Sequence, residues 1–260
     1  MIYNLIIILF IVLSIVLIIY RKINSLYDNN NITIHLFSYN ENKLNLQPLI
    51  EHFLDNCDKM VIYLNEYTEK PILPKNNKIK LINTKFRDDY SEYKSYEGYQ
   101  LFINDKYVFP KYYVQNIVNN IDKYNKQYVV GYDGKLFTKE AETIDDIFVH
   151  YNIDQYLDKD REVHNLEYGI LGFHSKSFRL SASDIRFQNM VSFWIAIQGQ
   201  LQKTPFICLK HSKDYILKMD YGKNMYEETA LHKITETNKE CISKSILKDL
   251  NFKILGVLPV

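Results

Sequence analysis

Gly98-Tyr99-Gln100-Leu101-Phe102-Ile103-Asn104-Asp105-Lys106-Tyr107-Val108-Phe109-Pro110 is the stretch on which the fold turns. Tyr99 to Ile103 is a short, mostly apolar run of strand length, and it stops abruptly at Asn104-Asp105-Lys106. Pro110 then opens a predicted helix, at a position where a missing N–H costs nothing. Val114, Ile117, Val118 and Ile121 share one face of that helix. The same alternation runs outward on both sides. Upstream, Ile32 to Phe37 reads as a strand, and Pro48 opens a helix whose apolar face is Leu49, Ile50, Phe53, Leu54 and Cys57. Met60 to Leu64 and Ile79 to Ile82 read as further strands, and downstream Gln127 to Val130 does the same. Strand, helix, strand at this spacing predicts βαβ units, an α/β class and a mainly parallel central sheet flanked by helices.

Ligands of such sheets bind beyond the carboxyl ends of the strands, so the residues just after each strand are the candidates. After the first strand come Ser38, Asn40 and Glu41, whose polar groups could hold a base or ribose; an ordinary polar turn is the plain alternative. Asn65 follows the second strand, and His211 follows the strand Phe206 to Leu209, where it could touch phosphate. After the fourth strand Asn104 offers a neutral oxygen, Asp105 a carboxylate and Lys106 a cation. A nucleotide-sugar enzyme needs acids here, because two carboxylates can hold a divalent cation (Mn²⁺ or Mg²⁺) against a diphosphate. Asp105 is the metal candidate; a solvated turn explains the segment equally simply.

Composition bounds the rest. The 260 residues are 47% hydrophobic and 24% charged, a globular balance that excludes wholesale disorder. Lys plus Arg number 32 against 31 for Asp plus Glu, and a net charge of +1 argues against a nucleic-acid partner. Ile2 to Tyr20 carries no charge. At about 1.5 Å per residue such a helix spans roughly 28 Å, close to a bilayer's hydrocarbon core. The run ends in Ile-Ile-Tyr-Arg-Lys, with no small-residue cleavage site, so residues 1–22 read as an uncleaved transmembrane anchor and 23–31 as a polar tether. Arg21 and Lys22 on the C-terminal flank predict a single-pass protein with its large domain in the cytosol. Cys57, Cys208 and Cys241 match no zinc spacing and require no disulfide. No Pro/Gly/Ser linker interrupts 32–260, so one domain is expected there.

Several stretches, in order, resemble a family of bacterial and viral glycosyltransferases related to glycosyltransferase family 2. They are Val61 to Tyr67 with Pro71, Gly98 to Pro110 with Tyr113, Val129 to Phe137, Leu166 to His174, Asn189 to Ile197, and Gln200 to Leu209. The likeness covers roughly Ile32 to Tyr215. It implies a GT-A-like nucleotide-diphospho-sugar fold and transfer of a sugar to an acceptor. The family's three acids stand here as Asn104, Asp105 and Lys106, and Ser192 takes the position of another acid, a plausible catalytic base. A hydroxyl cannot accept a proton at neutral pH without a base of its own. Lys106 could screen phosphate in place of a metal, and Glu167 could act as base.

Other residues read more plainly. His35 alternates within a strand and His52 lies on a helix's polar side. Asp88-Asp89 suits a solvated loop and Asp145-Asp146 a helix start. Trp194 fits a core-facing helix, and Cys241 to Leu250 an amphipathic one. Two functions remain in view. One is a membrane-anchored glycosyltransferase using a nucleotide-sugar donor on an acceptor the sequence does not identify. The other is a non-catalytic descendant that binds or scaffolds.

Overall fold

The computed structural model describes Ser14 and residues 30–84, 91–137, 147–182 and 191–219. The chain divides into two compact units, Met1–Asn30 and Asn31–Val260. Apart from Ser14, the expected anchor lies outside the described residues, as do most of the tether, Asp88-Asp89, Asp145-Asp146 and the expected helix at 241–250. No helix among the described residues is long and apolar enough to cross a membrane.

The second unit is a mixed α/β structure. Its main strands are β1 (Ile32–Tyr39), β2 (Lys59–Asn65), β3 (Ile79–Thr84) and β4 (Tyr99–Asn104). Shorter ones follow: β5 (Tyr107–Val108), β6 (Val129–Gly131), β7 (Gly134–Phe137), β8 (Ile147–Tyr151), β9 (Arg161–Val163), β10 (Asn165–Leu166), β11 (Ile170–His174), β12 (Phe206–Cys208) and β13 (Leu217–Lys218). The helices are α1 (Lys43–Leu54), α2 (Tyr113–Lys123) and α3 (Val191–Leu201). Eight strands form one sheet in the order β3-β2-β1-β4-β11-β6-β12-β9. β3, β2, β1 and β4 run parallel. β11 is antiparallel to both β4 and β6, so β6 and its parallel partner β12 point the same way as β4. β9 closes the edge antiparallel. Two small sheets, β10-β7-β8 and β13-β5, complete the unit.

Period-two alternation explains both layers. Ile34, Leu36, Met60, Ile62, Leu64, Leu101 and Ile103 share a core with Leu46, Ile50 and Phe53 of α1 and with Ile117 and Ile121 of α2. Their neighbours Phe37, Val61, Tyr63 and Phe102 join the opposite core with Trp194 and Ile195 of α3. Strands covered on both faces become near-continuous apolar runs, which is why β1, β2 and β4 are so plain in the sequence. Full burial of each such side chain contributes about 1.5–3 kcal/mol. His35 is a buried polar residue of this interior, with Nε2 at 2.8 Å from Gln100 Oε1 and Nδ1 at 3.2 Å from the Tyr63 hydroxyl. Burial lowers its pKa to about 4 despite the Gln100 bond, so the ring is neutral: Nε2–H donates and Nδ1 accepts.

Both proline readings are corrected. Pro48 lies inside α1, which begins five residues earlier at Lys43. Leu46 already belongs to the buried stripe and draws the first turns into the helix. The carbonyl that Pro48 leaves unpaired is that of Leu44, an 85% exposed residue where water can serve it. Pro110 does not open α2 either. It caps a turn in which Tyr113 N–H donates to the Pro110 carbonyl at 3.0 Å, and the helix starts at Tyr113.

Candidate functional site

Parallel pairing brings the polar ends of distant strands to one edge. In register, Tyr39 lies opposite Asn65 and Phe37 opposite Asn104. β11 starts beside the end of β4, with Ile170 opposite Ile103, which places Glu167 and Tyr168 at the same edge. Gly131 pairs with Cys208, adding Tyr132, Asp133 and the Leu209–His211 segment. Gly169 makes the close approach possible: a Cβ there would lie 2.5 Å from the Asn104 Cβ, and Asn104 N–H donates to the Gly169 carbonyl at 3.1 Å.

Asp105 is fully buried at this edge. Its Oδ2 accepts the Ser38 hydroxyl at 2.7 Å and the Tyr39 N–H at 2.8 Å, and its Oδ1 accepts Asn42 Nδ2 at 2.9 Å. Ser38 has one proton and gives it to Asp105, so Tyr67, at 2.7 Å from the Ser38 oxygen, is the donor of that second bond. Burial pushes the Asp105 carboxyl up to about 6, against the pull of Asn42, Ser38 and Tyr39. The carboxylate therefore ties the end of β4 to the turn after β1. Asn65 and Asn104 are buried and engaged as well. Asn65 donates to the Ser38 carbonyl at 3.2 Å and accepts Thr84 Oγ1 at 3.0 Å. Asn104 donates to the Tyr168 hydroxyl at 3.1 Å and accepts Lys106 N–H at 3.0 Å, while Tyr168 and Tyr39 share a 2.6 Å hydroxyl contact. Asn40 is partly exposed and Glu41 exposed, in a 3-10 turn spanning Asn40–Asn42.

Lys106 and Glu167 form the charged centre. Nζ lies 2.8 Å from Oε1, with side chains 25% and 22% exposed. The ammonium also lies 5.1 Å from the Tyr107 ring centroid and 5.8 Å from that of Tyr168. Burial opposes the charge on both, and the partner overrides it. Lys106 is held well above its ordinary range, and Glu167 below the usual carboxylate range by Lys106, Lys135 and Lys218. Ser192, in the first turn of α3, accepts the Tyr168 N–H at 3.2 Å. Asp133 is held by His150 Nε2 at 2.8 Å and Ile153 N–H at 3.3 Å.

His211 stands farther along the edge, lining a cleft of about 460 Å³ with Asn116, Asn120, Tyr132, Tyr156 and Lys210. Its Nδ1 donates to the Ser212 carbonyl at 3.1 Å. Burial lowers its pKa, against the Ser212 bond and Asp133, so the ring is neutral and Nε2 is an acceptor with no hydrogen-bond partner among the described residues.

Around Asp105 the described side chains are engaged with one another. Both Asp105 carboxylate oxygens already serve protein donors, and the charged side chain that bears on them is Glu41. Among the described residues no three His, Cys, Asp or Glu side chains gather as a cation would require. The sequence pointed to Asp105, Lys106 and Glu167 singly. The pairing of the last two, and the parts of Tyr39, Asn42 and Tyr168, were not foreseen. Asn42 and Tyr39 lay inside the polar turn already singled out, which was the available signal. No family model matches the chain, and no curated protein matches it either.

Proposed function

We propose that this protein is a glycosyltransferase that takes a sugar from a nucleotide-diphospho-sugar, with residues 1–22 holding it at a membrane acceptor. The observation that carries the reading is the sheet order around β1. β2 lies on one side of β1 and β4 on the other, all parallel, a switch point beyond whose carboxyl ends sheets of this kind take their ligands. Ser38, Asn40, Glu41, Asn65, Asn104 and Lys106 stand at those carboxyl ends, and the GT-A-like description of the fold rests on the same order.

Transfer forms a bond from an acceptor hydroxyl oxygen to the anomeric carbon and breaks that carbon's bond to the diphosphate oxygen. The hydroxyl proton needs a base, and the departing diphosphate needs positive charge. Glu167 and Lys106 are the base and the cation at hand, 2.8 Å apart. The test is release of nucleoside diphosphate from a panel of sugar nucleotides by the full-length chain in membranes. Release that disappears in Lys106→Met and Glu167→Gln is expected. A chain that neither binds nor cleaves any donor ends the proposal.

One observation favours a second reading, binding without transfer. The Asp105 carboxylate is consumed by internal donors, and the Ser192 hydroxyl by the Tyr168 N–H. Donor binding with no release in the same assay selects it.

A further inference from the structure

His211, just past β12, is only 6% exposed, and its ring is fixed from two sides. Nδ1 donates to the Ser212 carbonyl at 3.1 Å, and the Tyr132 ring stands edge-on to it with 6.0 Å between centroids. Nε2 is thereby left as an acceptor with no hydrogen-bond partner among the described residues, on the wall of the 460 Å³ cleft. A buried acceptor left bare costs about 1–3 kcal/mol, so the cleft calls for a hydrogen donor. Its walls are held in place beforehand. Leu157 N–H donates to the His211 carbonyl at 3.0 Å and His211 N–H to the Leu157 carbonyl at 3.1 Å, which ties the two loops that flank the cleft. Asp160 accepts Lys210 N–H and the Tyr124 hydroxyl, each at 2.7 Å, and so fastens both loops to the end of α2.

The rest of the lining narrows the ligand. Asn116 and Asn120 lie one turn apart on α2. Asn116 spends one N–H on the Tyr215 hydroxyl, and Asn120 spends one on the Asn116 carbonyl at 2.8 Å, so each keeps an amide oxygen and a second N–H. Tyr156, 72% exposed at the same cleft, offers a ring face. Asp158, the acid of the lining, is paired with Arg161 at 3.0 Å. A phosphate group presents mainly acceptors and would meet another acceptor at Nε2, which counts against the phosphate contact expected of His211. A sugar presents hydroxyls that both donate and accept, and C–H faces that stack on a tyrosine ring. The volume lies within the roughly 300–1,000 Å³ of small-ligand clefts. We propose that this cleft binds a saccharide, with one sugar hydroxyl donating to His211 Nε2, Asn116 and Asn120 holding its neighbours, and Tyr156 covering the ring. The inference does not rest on the donor reading, which concerns the ends of β1, β2 and β4, and it requires neither a nucleotide nor turnover.

The experiment is saturation-transfer difference NMR on the full chain in a sugar-free detergent. The probes are the methyl glycosides of glucose, galactose, mannose and N-acetylglucosamine, with uridine and inorganic phosphate as controls. Saturation is expected to reach at least one glycoside, most strongly on one face of its ring. His211→Phe, which keeps a ring beside Tyr132 but removes the acceptor, is expected to weaken that binding by about three- to tenfold, the scale of one lost hydrogen bond. Tyr156→Ala is expected to weaken it several-fold. Far-UV circular dichroism checks that both variants fold; should His211→Phe unfold, Tyr156→Ala at its exposed position carries the test. Transfer to none of the four glycosides overturns the proposal, and so does transfer that a folded variant leaves unchanged. Displacement of the glycoside by phosphate, or transfer to the uridine base and to no glycoside, assigns the cleft to an anion or a nucleobase and overturns it likewise. A chain that binds the glycoside but neither binds nor cleaves a sugar nucleotide keeps this inference and loses the donor reading.

Discussion

His35 on β1 and Asp105 just past the end of β4 are both buried, and their titrations oppose each other. Asp105 has its carboxyl raised from 3.8 to about 6, so between those values the folded state binds more proton than the unfolded one. Its contribution is fully present below 3.8 and is lost as pH rises through about 6. His35 is lowered from 6.5 to about 4, so there the unfolded state binds more proton, and stability is lost as pH falls through that window. Each shift of about two units corresponds to something on the order of 3 kcal/mol. Asp105→Asn removes one slope and leaves the other. Asn42, whose Oδ1 has no partner among the described residues, can turn its amide to accept from the new side chain. Urea midpoints of the variant are therefore expected to fall more steeply than the parent's between pH 6 and about 4. Parallel curves would show that Asp105 does not titrate in this range. Asp105 as a residue of interest was legible in the sequence. Its role was not, because Ser38, Tyr39 and Asn42 reach it from 63 to 67 positions away, across a register that exists only once β1 and β4 pair.

The site's parts are brought together by elements that lean on missing side chains. Gly169, in the turn before β11, is packed so closely against Asn104 that a Cβ would also meet Tyr107 Cε2 at 3.3 Å. The Asn104 Cβ is fixed by its own backbone, so β4 and the turn must separate. Gly169→Ala is expected to cost about 1–3 kcal/mol and to stretch the Asn104–Gly169 backbone bond, read as a lower melting temperature and faster amide exchange at Asn104. An unchanged melt would mean that the turn yields freely. The same logic holds in the interior at Gly172 of β11, where a Cβ would lie 2.6 Å from Ile117 Cγ2 of α2. Long elements were legible because their periodicity is sustained, as in β1, β2, β4 and α2. The short strands β5, β7, β9, β10 and β13 were not. Two to four residues cannot display a period, and their pairing is set by neighbours. Pro48 misled for a related reason. A local rule about its missing N–H was overridden by the burial of Leu46 two residues earlier.

At the scale of the molecule, the question is where the folded unit begins. The boundary between the two compact units falls after Asn30. Backbone bonds sharpen it to the residue. The Asn31 carbonyl accepts Tyr99 N–H at 2.9 Å, the Ile32 carbonyl accepts Asp58 N–H at 2.9 Å, and the Asp58 carboxylate accepts Ile32 N–H at 2.8 Å. Asn31 and Ile32 thus close the first rungs of β1 on both of its neighbours. A chain of residues 31–260 keeps every one of these bonds, whereas 34–260 loses them all and exposes the N-terminal ends of β2 and β4. The shorter chain is expected to melt several degrees lower, at roughly 1 kcal/mol per lost bond. If residues 1–22 are the anchor, the full chain stays in the membrane pellet after carbonate washing and 31–260 moves to the supernatant with its melt intact. A 31–260 chain that remains in the pellet would place the membrane contact in the folded unit. One that fails to fold would mean that the sheet needs residues before Asn31.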